Sequence, residues 1–152
     1  MKAGVVDVFL VILQLAVFVA FVFDVHGWRL YFPAFLFPLA IVLLILGAAI
    51  IFFELMQLGK QLSPFPSPRK NSKLIVNGVY KYIRHPIYSG ILIGFLALTM
   101  IADSGYKMLV TFLMFLLFYT KSVYEEKRLM QVFPDYKVYK NRTGRFFPKI
   151  KI

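Results

Sequence analysis

The sequence predicts an all-α fold: a polytopic membrane helix bundle of about four transmembrane helices, with short cytoplasmic helices towards its C-terminal end. Three observations predict it. First, the 152 residues are 60% hydrophobic, with a mean hydropathy of +0.73, whereas a soluble domain has roughly 45–50% apolar residues. Second, the excess is gathered into long runs, and about 20 apolar residues make one crossing. Third, 18 Lys and Arg against 7 Asp and Glu give a net charge of +11, and these cations flank the apolar runs. The positive-inside rule accounts for that placement. A nucleic-acid-binding protein would carry them on a soluble face, so no nucleic-acid partner is expected. Residues 1–152 read as one integral-membrane domain with no room for a separate soluble catalytic domain. Chemistry must then be built at helix ends. Without cysteine, disulfides, thiolate catalysis and cysteine metal sites are excluded. The two histidines, His26 and His85, are too few for a histidine-rich metal site.

The first span is expected at about residues 5–23. It is interrupted by Asp7 and by Gln14, a packing residue on this reading. Its length and the lack of a small-residue cleavage site argue for a retained span over a signal peptide. The loop after it carries His26, read as structural, and Trp28 and Tyr31, which suit a membrane–water interface. The second span is expected at about 33–58. Pro33 fits a first helical turn, and Pro38 is expected to kink the helix further in. Glu54 lies close enough to the end to snorkel. Ser63-Pro64-Phe65-Pro66-Ser67-Pro68 cannot continue a helix and reads as a surface linker. Asn77-Gly78 signals a turn. Pro86 opens the third span, about 86–101, where Gly90 and Gly94 permit close helix approach. Asp103-Ser104-Gly105 turns the chain into the fourth span, about 106–124, making a tight antiparallel hairpin. A helical continuation runs from Glu125 to Phe133. A last short helix spans Asp135–Arg142, with Asp135 as its N-cap.

The segments from Gly59 to His85 and from Lys121 onward hold most of the basic residues, so both are expected to face the cytoplasm, together with both termini. That topology puts two distant blocks on one membrane face. One is Tyr80-Lys81-Tyr82-Ile83-Arg84-His85-Pro86-Ile87-Tyr88-Ser89-Gly90. There Pro86 sets the first turn and His85 sits near the N-cap, beside amides that favour anions. Tyr80, Arg84 and Tyr88 share a face only if helix continues through Pro86. The other block is Glu125-Glu126, followed by Tyr136, Tyr139 and Arg145-Phe146-Phe147-Pro148. Adjacent residues on a helix point about 100° apart. With Glu125 towards water, Glu126 turns into the bundle, where a carboxylate can accept hydrogen bonds from a diol or an ammonium group. The aromatics can stack on a base or face a cation. Taken separately, the pieces also read as an interfacial anchor, a solvated helix face and a peripheral segment on lipid headgroups.

The combination resembles the signature of the isoprenylcysteine carboxyl methyltransferase family, a relative of the membrane phospholipid methyltransferases. The resemblance covers about Leu74 to Pro148, through residues 74–90 and 125–148, and the first two spans match only in general character. It implies an S-adenosylmethionine-dependent methyltransferase with its cofactor at the cytoplasmic end of the bundle. Carried onto this sequence, it implies Tyr80, His85, Tyr88, Gly90, Glu125 and Tyr136 as cofactor-binding residues. Arg84, Glu126 and Arg145 are expected at the reacting end. The expected partners are membrane lipids and a lipid-tailed or prenylated acceptor carboxylate. A carboxylate is already ionised at neutral pH, so transfer to it needs no base. The alternatives are N-methylation of a phospholipid ethanolamine, an NADPH-dependent sterol reductase-like activity, and a non-catalytic membrane scaffold.

Overall fold

The computed structural model describes residues 4–24, 28–59, 63, 65 and 74–149. His26 and most of the proline linker lie outside these residues. Those described form five α-helices: α1 (Val5–Val22), α2 (Phe37–Leu58), α3 (Pro86–Ala102), α4 (Gly105–Val132) and α5 (Tyr136–Arg142). The fold is all-α, as the sequence predicts. Three helical segments, Val5–Val22, Ala34–Leu58 and Gly105–Val132, are long and apolar enough to cross a membrane, and α3 is a shorter apolar helix.

At the start of α1, the Asp7 side chain accepts a hydrogen bond of 2.8 Å from the Gly4 amide. A carboxylate in the first turn also suits the positive end of the helix dipole. Gln14 does more than pack: its Oε1 accepts a hydrogen bond from the Lys121 ammonium and ties α1 to α4. Pro38 does not kink α2. A 3₁₀ turn at Ala34–Leu36 precedes the helix, and Pro38 stands in its first turn, where its missing N–H costs nothing.

The most extensive helix contact is α2 against α3. A Cβ on Gly47 would lie 2.7 Å from the Gly90 carbonyl, and one on Gly90 would lie 2.8 Å from the Gly47 carbonyl. The close approach is therefore Gly47 on the backbone of Gly90 and Gly94, whose amide nitrogen would lie 3.0 Å from the same Gly47 Cβ. Gly94 faces open space at its Cβ position.

Two residues, Asp103 and Ser104, join α3 to α4. Asp103 takes a left-handed conformation (φ 48°) and its side chain accepts from the Phe32 amide at 3.0 Å. Ser104 caps α4 by accepting from the Lys107 amide at 3.1 Å, and donates to Asp24 at 2.7 Å. These bonds fasten the loops at this end of the bundle, where Trp28 and Tyr31 are exposed.

The expected span and its helical continuation are one helix, α4, of 28 residues. At 1.5 Å per residue it is about 42 Å long, against about 30 Å of hydrocarbon. Its last turns, with Glu125 and Glu126, therefore have length to stand beyond the apolar layer. A buried cluster of Met114, Leu117, Phe118 and Phe146 fixes that end of α4 to the chain after α5.

Candidate active site

The site begins where α3 begins. A 3₁₀ turn covers Gly78–Lys81, and Tyr82 to His85 then run without helix. Tyr80, Arg84 and Tyr88 therefore do not share one helical face. His85 takes the N-cap position and Pro86 follows it at the head of α3. Because this segment is not helical, its backbone groups need other partners. They find them on the C-terminal strap. Ile83 pairs with Gly144 in a parallel bridge. The Gly144 amide donates to the Tyr82 carbonyl at 3.0 Å, the Arg84 amide to Gly144 at 2.9 Å, and the His85 amide to Arg145 at 3.1 Å. Ser89 adds a bond of 2.7 Å to the Phe146 carbonyl. Gly144 is needed here because a Cβ would lie 1.6 Å from the Phe147 carbonyl oxygen.

At the centre lies Glu126, with 1% of its side chain exposed. Four basic side chains converge on it. Arg84 Nε donates to Oε1 at 2.9 Å, and His85 Nε2 lies 3.3 Å from the same oxygen. Lys140 Nζ reaches Oε2 at 2.9 Å and Arg145 Nη2 reaches it at 3.3 Å. Arg84 Nη1 donates to the carbonyls of Lys140 and Thr143. Arg84 thus stitches α3, α4 and α5 together, and these donors already have protein acceptors. Arg145 differs. Its Nη1 is buried without a hydrogen-bond partner, and its guanidinium lies 4.7 Å from the Tyr119 ring centre.

Glu125 diverges from Glu126 as helical geometry requires. Its Oε2 accepts from the Tyr88 hydroxyl at 3.1 Å and lies 3.6 Å from His85 Nδ1. Arg128, one turn on, donates to the Tyr124 hydroxyl at 2.8 Å. The His85 imidazole therefore stands between the two carboxylates. Tyr88 stacks on Phe118 at 4.4 Å, with His85 parallel to it at 5.4 Å.

Tyr136 is buried and packs edge-on to Tyr139 at 5.6 Å. Asp135 occupies the N-cap position of α5 but makes no side-chain capping bond. The Tyr139 hydroxyl donates to the Tyr80 carbonyl at 2.8 Å. Burial holds the phenols of Tyr80 and Tyr136 above their ordinary value and pushes Tyr139 up to about 12.

The structure thus gathers Arg84, His85, Tyr88, Glu125, Glu126, Tyr136 and Arg145 at one end, with Tyr80 beside them. It sets Gly90 apart: this residue faces α2, and the Gly47 carbonyl and Ile51 fill the place of its missing side chain. Gly90 is a packing residue. Lys140, Thr143 and Ser89 were not singled out in the sequence. Lys140 is one of many cations in the tail, and no local pattern distinguishes it.

A family profile described as phospholipid methyltransferase matches residues 35–136. The chain belongs to the phospholipid methyltransferase family. The family match takes in α2, which lies outside the resemblance read from the sequence. It stops short of Arg145–Pro148. Among similar proteins is the cobalt-zinc-cadmium resistance protein CzcN of Cupriavidus metallidurans. It is 37% identical over 87 residues, covering 57% of this chain and 40% of that protein. The nickel-cobalt-cadmium resistance protein NccN of Alcaligenes xylosoxydans xylosoxydans is 31% identical over 87 residues, covering 57% of this chain and 41% of that protein. The chain thus spans about two fifths of the length of these curated relatives. Among the described residues of this family member, no group of three or more His, Cys, Asp or Glu side chains could hold a metal ion.

Proposed function

We propose that the protein is an S-adenosylmethionine-dependent methyltransferase acting on a lipid-tailed acceptor carboxylate, at the cytoplasmic boundary of the membrane. The observation that carries this reading is the docking of the Arg84-His85-Pro86 block onto Glu125-Glu126 and Arg145-Phe146. Two distant motifs meet at helix ends, where a donor can arrive from water and an acceptor from lipid. The family match supports methyl transfer as the reaction class.

The residues present fit such a donor. His85 and Tyr88 set parallel rings beside the Glu125 carboxylate, and Phe118 backs Tyr88 from the core. Bound there, S-adenosylmethionine would supply an electrophilic methyl group on a sulfonium. Tyr80, His85, Tyr88, Glu125 and Tyr136 would hold it. Arg84 and Glu126 position the segments, because their contacts join α3, α4, α5 and the strap. Arg145 Nη1, buried and unpartnered, would orient the acceptor carboxylate by a charge-assisted hydrogen bond. An acceptor carboxylate held there would already be ionised, so no residue of the chain would have to take up a proton. Orientation and exclusion of water supply most of the rate.

The family description favours a second reading, transfer to a phospholipid amine. That reaction needs a base. Glu126, surrounded by four basic groups, is poorly suited to take a proton, which leaves Glu125 with His85.

Calorimetry on detergent-purified protein tests the reading. S-adenosylmethionine should bind and NADPH should not, and His85→Ala and Glu125→Ala should each weaken binding at least tenfold. Absence of S-adenosylmethionine binding by wild type sinks the proposal. A methyl-transfer assay with a prenylated cysteine against phosphatidylethanolamine separates the two acceptors.

A further inference from the structure

Glu54 stands apart from the cluster on Glu126. It lies on α2, one turn before the helix ends at Leu58, and none of it is exposed. It does not snorkel. Neither carboxylate oxygen accepts a hydrogen bond of normal geometry. Buried carboxylates are otherwise paired or hydrogen-bonded, because stripping water from the charge is costly. An ionisable side chain left so at a membrane helix marks a functional site by default.

The surroundings of Glu54 define what it lacks. The Tyr80 hydroxyl faces it closely enough to interact. Gln57 Nε2, on the same last turns of α2, donates to the Asn77 carbonyl at 2.6 Å, and the Tyr139 hydroxyl donates to the Tyr80 carbonyl at 2.8 Å, so the Tyr80 turn lies between α2 and α5. The end of α2, the Tyr80 turn and the end of α4 thus bring two carboxylates, Glu54 and Glu125, and two tyrosines near one another. Arg84, His85, Lys140 and Arg145 are engaged on Glu126. No described cation makes an ion pair with Glu54. Such a place is complementary to a positive ligand. A metal ion would need at least three ligands, which the described residues do not assemble. An ammonium needs less: one carboxylate, a hydroxyl oxygen and an aromatic face.

We propose that Glu54 and Tyr80 form an ammonium-binding subsite beside Glu125, in which Glu54 is the counter-ion and Tyr80 the second acceptor. The subsite rests on the methyl-transfer reading of the neighbouring residues. Its ammonium is either the amino group of the donor's amino-acid part or an amine on the acceptor. The two offer the same N–H donors and positive charge, so one subsite chemistry serves both.

The test uses the full chain in phosphatidylglycerol nanodiscs, as wild type, Glu54→Gln and Tyr80→Phe. One arm titrates S-adenosylhomocysteine, and 5′-deoxy-5′-methylthioadenosine, which lacks the amino-acid part. The other measures retention of phosphatidylethanolamine by native mass spectrometry. Glu54→Gln should lose at least tenfold in one arm while its methylthioadenosine affinity is unchanged, and Tyr80→Phe should lose about threefold in the same arm. Loss for S-adenosylhomocysteine assigns the donor ammonium, and loss of phosphatidylethanolamine assigns the acceptor. Wild-type values in both arms overturn the subsite, and so does an equal loss for methylthioadenosine. If wild type binds no S-adenosylhomocysteine, the methyl-donor reading falls by itself, and the lipid arm decides the subsite. Should Glu54→Gln fail to fold, Glu54→Asp keeps the charge but withdraws it, and the same readouts apply.

Discussion

Replacing Glu126 by glutamine keeps the size of the side chain and removes the charge on which four basic groups converge. The cost follows from which of those groups are dry. Lys140 and Arg145 keep 35% and 20% of their side chains exposed, so water screens them and each pair is worth about 0–1 kcal/mol. Arg84 is 7% exposed. Leaving such a guanidinium without its carboxylate costs about 3–5 kcal/mol. Glutamine still offers one carbonyl oxygen, so we expect about 3 kcal/mol, the lower end of that range. The assay is reversible unfolding in mixed detergent micelles, run as a double-mutant cycle with Arg84→Met. Removing both partners should cost about 2 kcal/mol less than the sum of the single changes. Additivity within about 0.5 kcal/mol would refute the view that Glu126 is the counter-ion that holds Arg84 in place.

Gly144→Ala forces a Cβ onto the Phe147 carbonyl. It should destabilise the strap by about 3 kcal/mol, speed limited proteolysis after Arg142 and weaken S-adenosylhomocysteine binding. Gly47→Leu should separate α2 from α3 and lower the unfolding midpoint, whereas Gly94→Ala, facing open space, should leave it unchanged. Tyr88→Phe keeps the stack on Phe118 and loses the bond to Glu125. It should cost about 1.5–3 kcal/mol of stability and weaken donor binding by leaving Glu125 without its hydroxyl partner. Tyr139 has a folded pKa raised to about 12 from 10.0. Its contribution is therefore complete below pH 10 and lost as pH rises towards 12, and Tyr139→Phe should flatten stability over that window.

Much of the helical frame is legible in the sequence, because its signals are local. Pro86 opens α3, and the Asp103-Ser104 turn separates α3 from α4. The 100° step between Glu125 and Glu126 needs only helical geometry. What is not legible depends on long-range packing. Gly90 looks like a ligand residue inside its motif until α2 is laid against it. Glu54 looks able to reach water until the Tyr80 turn covers it. The parallel bridge between Ile83 and Gly144 has no strand pattern on either side. It forms because unwound backbone at the head of α3 needs partners, and the strap supplies them. Lys140 becomes distinct only when α5 folds back over Glu126.

That bridge carries a consequence for how the protein assembles. Joining Ile83 to Gly144 closes a long loop, and in a soluble chain the entropy of closure would oppose it. Here α3 and α4 fill the loop. Were α3 to cross the bilayer with α4, the two ends of the hairpin would emerge on the same side. Lipid partitioning would then do the search that strap pairing otherwise requires. Docking of the strap would become a late, local step in water, separable from insertion of the helices. A chain inserted in this way would still lack its site until the strap docks.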